Sequence, residues 1–269
     1  MELDELIQIY DQDQRRDLVD PRYRREEDGC IVRAVSLIPG RLAFVTYSQF
    51  DKTTAETAIQ GQIDYFSGLG LDFEWKLFHH DRPPDLKERL RDHGFEIEEE
   101  EGILILELDQ TPTGMIQPGV SRATYPAEDP IQVTRLTDPD GLEVLVRVME
   151  TVWEVKMPWL YDHLGVYLRD YPSMLSVYLA SWEGALASVA WTFFLPDSAF
   201  ASLWGGSTLT EFRKKGLYTR LLSVRLQEAQ QRGRRFATVD ASSMSQPILE
   251  KFGFRLLDES TPCKWKVNR

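Results

Sequence analysis

The chain is poor in residues that build covalent or metal-held frameworks. It has two cysteines, Cys30 and Cys263, one in each half, and four histidines in 269 residues. Two distant cysteines supply neither a disulfide framework nor metal-ligand spacing, so the expectation is no metal and a reducing, cytoplasmic setting. No run of about 18 apolar residues is present to cross a membrane. The first residues, Met1-Glu2-Leu3-Asp4-Glu5, are acidic and do not read as a signal peptide. Basic residues are outnumbered 31 to 43, for a net charge of −12. So acidic a molecule is expected to bind neither nucleic acid nor an anionic membrane.

The charge is unevenly placed. Residues 1–130 hold 28 acidic and 14 basic residues, and the remainder hold 15 and 17. The C-terminal half therefore lacks the anionic field of the first. With 42% hydrophobic residues the chain is long enough for two ordinary domains.

The C-terminal half carries the most informative stretch, Glu211-Phe212-Arg213-Lys214-Lys215-Gly216-Leu217-Tyr218-Thr219. Before it, Ser198 to Leu209 reads as a strand, and its Gly205-Gly206 pair points to a bulge or a close backbone approach. After it, Tyr218, Leu221, Leu222, Leu226 and Ala229 form a helical stripe, with Arg220, Arg225 and Glu228 off it. A strand, a basic turn with one glycine and a helix offer unpaired N–H groups and positive charge to an anion. Gly216 lets that anion approach the backbone. The turn is neither a Walker loop nor a dinucleotide fingerprint, since Gly-x-x-x-x-Gly-Lys-[Ser/Thr] and Gly-x-Gly-x-x-Gly are both absent.

Arg213-x-x-Gly216-x-Tyr218 resembles the Arg/Gln-x-x-Gly-x-Gly/Ala signature of the GCN5-related N-acetyltransferases, with tyrosine where that family prefers glycine or alanine. A second similarity is the strand Phe236-Ala237-Thr238-Val239-Asp240, a helix from Ser245 to Phe252, and Gly253-Phe254 opening a last strand. The resemblance covers about residues 131 to 269. It implies acetyl-CoA as cosubstrate and an amine acceptor, either a small molecule or an exposed amino group. By the same resemblance Ser207, Thr208 and Leu209 would meet the pantetheine and thioester. The N–H groups from Lys214 through Gly216, Leu217 and Tyr218 to Thr219 would meet the pyrophosphate, with Arg213, Lys214 and Lys215 around it.

The N-terminal half repeats the order. A strand from Arg41 to Phe50, a helix from Thr54 to Ser67, a strand from Leu71 to Phe78 and a short helix from Asp85 to Arg91 lead to Gly94-Phe95. The strand Glu96 to Leu108 follows. We read the chain as α/β (α+β), two tandem acetyltransferase-like domains, each a mixed, mostly antiparallel sheet flanked by helices. The expected boundaries are 1–112 for a degenerate N-terminal copy, 113–130 for a Pro- and Gly-bearing linker, and 131–269 for the cofactor-binding copy. The N-terminal counterpart of the basic turn, Ser48 to Thr54, has no glycine and no net charge, so it offers no comparable cradle. That copy is expected to pack, to form a homodimer or to wall off the acceptor site. His79-His80-Asp81 reads as a solvated strand end rather than a metal site, since neighbours on a strand point to opposite faces.

The early C-terminal elements read as a strand (131–136), two helices (138–153 and 158–168) and a hairpin around Glu183-Gly184. In the resembled fold the two helices wall the acceptor site, which places Trp153, Glu154, Lys156 and Trp159 there. Acyl transfer needs a fixed thioester, an N–H donor for the developing oxyanion and a proton acceptor for the amine. Glu154 and Asp240 are the candidate acceptors. The tyrosine that many members use as acid corresponds here to Leu249, leaving either Ser243 or Ser245 to orient water at the cofactor or the thiolate to depart unaided. The competing reading is a non-catalytic acyl-CoA-binding or regulatory protein with the same fold.

Overall fold

The computed structural model describes residues 1–38, 40–109 and 129–267. The expected linker falls almost wholly outside them. The chain forms two compact units, residues 1–105 with 240–269 and residues 106–239. No described helix is long and apolar enough to cross a membrane.

The first unit opens with α1 (Leu3–Tyr10), continued by one wide turn over Asp11–Arg16. Strands β1 (Tyr23–Asp28), β2 (Ile31–Ser36) and β3 (Ala43–Ser48) follow as an antiparallel meander. Helix α2 (Ala55–Gly68) then crosses to β4 (Phe73–Phe78), which pairs parallel with β3. The apolar face of α2, with Ile59, Ile63 and Phe66, packs on Phe73 and Trp75. Next come α3 (Leu86–Asp92), β5 (Glu96–Ile97) and β6 (Glu101–Glu107), along which the chain passes into the second unit.

In the second unit β7 (Ile131–Leu136), helices α4 (Leu142–Trp153) and α5 (Pro158–Asp170), and strands β8 (Leu175–Trp182), β9 (Ala185–Phe193) and β10 (Phe200–Thr208) precede α6 (Leu217–Gln231) and β11 (Phe236–Ala241). Strands β7 to β10 are antiparallel neighbours in sequence order, while β10 and β11 run parallel on either side of the α6 crossover. The chain then returns to the first unit through α7 (Gln246–Glu250) and β12 (Arg255–Trp265).

The repeat holds in detail. Each copy is a strand–helix–strand crossover whose parallel strands register over three residue pairs, Ala43 to Val45 with Phe73 to Trp75 and Phe200 to Ser202 with Phe236 to Thr238. The two Gly-Phe dipeptides end their helices identically. Phe95 N–H reaches Leu90 C=O and Phe254 N–H reaches Leu249 C=O, with Gly94 (φ +90°) and Gly253 (φ +88°) in the left-handed region. Both phenylalanines are buried.

The last strand departs from the expected boundary. Residues 240–269, assigned from sequence to the domain beginning at 131, lie with the first unit. Strand β12 inserts between β4 and β6, pairing antiparallel with each, from Ser260↔Phe78 to Trp265↔Phe73 on one side and Arg255↔Ile105 to Ser260↔Glu101 on the other. Cys263 on β12 joins the core around Trp75, and burial pushes its thiol up to about 12.

His80 and Asp81 are likewise not a solvated strand end. The buried Asp81 carboxylate receives both ends of the Arg15 fork (2.8 and 2.7 Å). His80 lies between Asp11 (Nε2, 2.9 Å) and Asp258 (Nδ1, 2.6 Å), tying the turn after α1 to β12. His79 alone is exposed, beside Glu100 and Glu259. Although burial opposes protonation of His80, its hydrogen bonds to Asp11 and Asp258 and the carboxylates around it raise its pKa from 6.5 to about 9. A folded pKa above the unfolded one means this stabilisation is complete below about pH 6.5 and lost as pH rises through about 9. Urea unfolding from pH 6 to 10 should therefore show a loss on the order of 2 kcal/mol. His80→Gln should flatten that slope; an unchanged slope would refute the assignment.

Candidate functional site

The basic turn has the geometry of an anion cradle. Gly216 is the N-cap of α6 at φ +87°, and no side chain caps the helix. The N–H groups of Leu217, Tyr218 and Thr219 precede the first internal bond, Arg220 N–H to Gly216 C=O (2.9 Å). Lys214 also takes a positive φ (63°), a strained conformation for a residue with a side chain and one that accumulates at ligand sites. Its side chain is exposed. The Lys215 ammonium stands over Trp182 (4.7 Å) and Phe212 (5.1 Å), and Arg213 Nε donates to Thr208 C=O (3.3 Å), tying the turn to the end of β10.

Strand β10 approaches the turn through a bulge between Trp204 and Ser207. Gly205 sits there at φ +65° because the Trp191 ring fills its side-chain position, where a Cβ would come 1.9 Å from the ring. Beneath the bulge lies Arg225. Sequence periodicity puts Arg225 and Glu228 off the buried stripe of α6, but both are buried. Arg225 donates to the carbonyls of Trp191 (3.4 Å), Trp204 (3.3 Å) and Leu221 (3.2 Å), and burial pulls its pKa down to about 10. Glu228 accepts from Ser176 (2.7 Å), Tyr178 (2.9 Å) and Arg232 (2.8 Å). Backbone carbonyls and hydroxyls thus make an inward face for two charges that a hydropathy stripe counts as solvent-facing.

The three β10 candidates are not equivalent. Leu209 N–H donates to Ala187 C=O (2.9 Å), and Ser207 C=O accepts from Ser188 Oγ (2.8 Å), so both residues turn their main-chain groups toward β9. Strand alternation then turns the Thr208 N–H to the opposite edge. Pairing with β11 ends at Ser202, and among the described residues no strand pairs with that edge beyond it. The Ser207 hydroxyl accepts from Trp153 Nε1 (3.0 Å), joining the end of α4 to β10. Glu154 follows in the left-handed conformation (φ 54°), exposed, and Glu150 braces the loop through Lys156 Nζ and Met157 N–H (2.8 and 2.9 Å). Trp153, Val155, Trp159 and Trp204 are exposed apolar residues of the same unit.

The remaining candidates belong to the first unit. The Asp240 carboxylate is ion-paired with Lys76 of β4. Ser243 is exposed, and Ser245, at the N-cap of α7, bonds back to Ser242 (3.2 Å). Leu249, at the position the resemblance gives to a tyrosine, is fully buried. In the N-terminal copy the turn before the matching helix holds a carboxylate of its own. One Asp51 oxygen accepts from Thr53 Oγ1 (2.6 Å), Thr53 N–H (2.8 Å) and Thr54 N–H (3.1 Å), and these bonds hold its carboxyl below the usual range. An incoming phosphate would meet a carboxylate there.

No protein-family model matches the chain, and no curated protein matches its sequence. Solved structures do. A GCN5-related N-acetyltransferase from Kribbella flavida is similar at 15% identity and TM-score 0.65, over 97% of this chain and 93% of that one. A tandem GNAT protein from the clavulanic acid biosynthesis pathway is similar at 14% identity and TM-score 0.58, over 94% and 86%. A GCN5-related N-acetyltransferase from Sphaerobacter thermophilus is similar at 14% identity and TM-score 0.59, over 89% and 78%. The class defined is therefore the GCN5-related N-acetyltransferase fold. More particularly, the chain has its tandem form, two acetyltransferase-like α/β copies in one polypeptide.

Proposed function

We propose that the protein transfers the acetyl group of acetyl-CoA directly to a primary amine, carried by a small molecule or exposed on a larger one. The observation that carries this reading is the uncapped N-terminus of α6 at Gly216, beside the β10 edge that no described strand pairs. A helix end without a side-chain cap suits a pyrophosphate, and its N–H groups, with Lys214 and Lys215, would hold one. Gly216 fits the role, since a Cβ there would meet only Ile131 Cδ1 at 3.6 Å and would otherwise fill the approach. The outward N–H of Thr208 is the donor for a developing oxyanion. When bound, acetyl-CoA supplies an activated acyl carbon and a thiolate leaving group.

Glu154 is the better proton acceptor, because Asp240 would first have to leave Lys76. Its exposed position after Trp153 puts a carboxylate and indole faces together, which favours a cationic amine. One observation favours the competing reading of a non-catalytic acyl-CoA binder: the buried Leu249 donates no proton.

Calorimetric titration with acetyl-CoA tests the cofactor. Binding in the micromolar range is expected, with a loss of about tenfold or more in Lys214→Glu/Lys215→Glu, since two full charges reverse beside the anion. Absence of binding at millimolar ligand would sink the cofactor assignment. Thiol release over a panel of amines then separates enzyme from binder.

A further inference from the structure

Tyr218 stands where the acetyltransferase signature takes a glycine or alanine, and its ring packs against Gly206 of the β10 bulge. A Cβ built on Gly206 would lie 2.9 Å from Tyr218 Cε2, so the ring covers the backbone of the β10 bulge. Side chains in the first turn of a helix lean toward its N-terminus, here toward β10. The phenol makes no hydrogen bond or ion pair with any described residue. Burial raises its pKa, while the neighbouring Arg225 guanidinium acts in the opposite direction. Arg225 bonds only to main-chain carbonyls and has no carboxylate partner among the described residues. The bulge therefore combines a protonated, uncommitted hydroxyl with a buried positive charge able to stabilise the phenolate it would become.

We propose that Tyr218 is the proton donor to the departing thiolate, the duty that Leu249 leaves unfilled. The proposal rests on the acetyl-CoA reading above. As the amine nitrogen bonds to the acyl carbon, the carbon–sulfur bond breaks and its electron pair goes to sulfur. Sulfur takes the phenolic proton. The amine nitrogen gives its proton to Glu154 or water, and solvent returns one to the phenolate, so no net charge accumulates.

Tyr218→Phe removes the hydroxyl and keeps the ring over Gly206. Binding of acetyl-CoA and of desulfo-coenzyme A should stay within about twofold of the parent protein. Coenzyme A itself, measured at pH 8.5 where its thiol is partly ionised, should bind about tenfold more weakly, since a hydrogen bond to a charged sulfur is lost. Amine-dependent thiol release should fall about 10²-fold and recover with an acetyl donor whose leaving thiol is more acidic. Equal losses for all three ligands, unchanged coenzyme A binding, or tighter acetyl-CoA binding by Tyr218→Gly would each overturn the proposal. The last would show the ring to be a plug. A parent protein that binds acetyl-CoA but releases no thiol with any amine also overturns it. Failure of the parent protein to bind acetyl-CoA at all is the separate failure of the parent reading, and the proposal falls with it.

Discussion

Gly216→Val is expected to weaken acetyl-CoA binding about 100-fold or more while the protein stays folded. Two costs that glycine substitutions usually mix come apart at this position. Packing is not at stake, since the nearest atom to a new Cβ is Ile131 Cδ1 at 3.6 Å, an ordinary contact. The backbone cost is real but bounded, because φ +87° imposes strain of about 1–2 kcal/mol on a residue with a side chain. Relief of that strain would rotate the turn and disperse the N–H groups of Leu217 to Thr219. If the turn holds, the valine side chain occupies the anion's approach. Both outcomes close the cradle. Titration with acetyl-CoA alongside thermal unfolding distinguishes lost binding from lost folding, and Gly216→Ala should fall between valine and the parent. The parent should bind one equivalent per chain, because the Asp51 carboxylate, held by the Thr53 and Thr54 N–H groups just before α2, would repel an anion at the corresponding helix end. Near-parental affinity in Gly216→Val would show that the ligand does not use this turn.

Much of this site was legible in the chain because local chemistry dictates it. A helix with no capping side chain, one glycine and adjacent lysines can be read one residue at a time. Gly205-Gly206 announced a bulge, and the bulge is there, with the Trp191 ring in place of a Cβ. The paired Gly-Phe dipeptides announced the repeat, since each ends a helix by the same two bonds. What stayed hidden depends on residues distant in sequence. The alternation of β12 identifies a strand but not its neighbours, so its place between β4 and β6 had no local sign. Arg225 and Glu228 look solvent-facing on a helical wheel until the carbonyls and hydroxyls that receive them are known. Asp240 had the same ambiguity, since a carboxylate ending a strand is a base, a cap or half of an ion pair, and Lys76, far away in sequence, decides which. The first 40 residues carry charged strands and a short helix whose polar faces blur any period. A strong anchor among them, Arg15, is fixed by groups on β3 and at the end of β4.

That anchor carries the largest stability effect expected of any single side chain here. Arg15 is 2% exposed and its partner Asp81 equally so. The guanidinium also donates to Asp11 Oδ1 (2.8 Å) and Thr46 C=O (3.0 Å) and lies 3.9 Å over the Phe78 ring. Arg15→Met keeps the stem and removes every one of these bonds, leaving the Asp81 carboxylate with the Phe78 N–H (3.0 Å) as its remaining hydrogen-bond partner among those seen. A buried charge stripped of its partner costs about 3–5 kcal/mol, a large share of the stability of an ordinary domain. Arg15→Lys should recover only part of it, because an ammonium cannot make the two parallel bonds of the fork. The pH dependence has a definite sign. Burial already raises the Asp81 pKa, and losing Arg15 raises it further, so the folded variant binds a proton more readily than the unfolded chain. The penalty should therefore shrink as pH falls and Asp81 becomes neutral. By the same logic Asp81→Asn added to Arg15→Met should restore most of the loss at pH 7. Chemical denaturation of both variants at pH 5 and pH 7 measures this directly, and a penalty below about 1 kcal/mol, or one independent of pH, would mean that water reaches the pair and that packing of α1, through Leu6 and Tyr10, holds this segment instead.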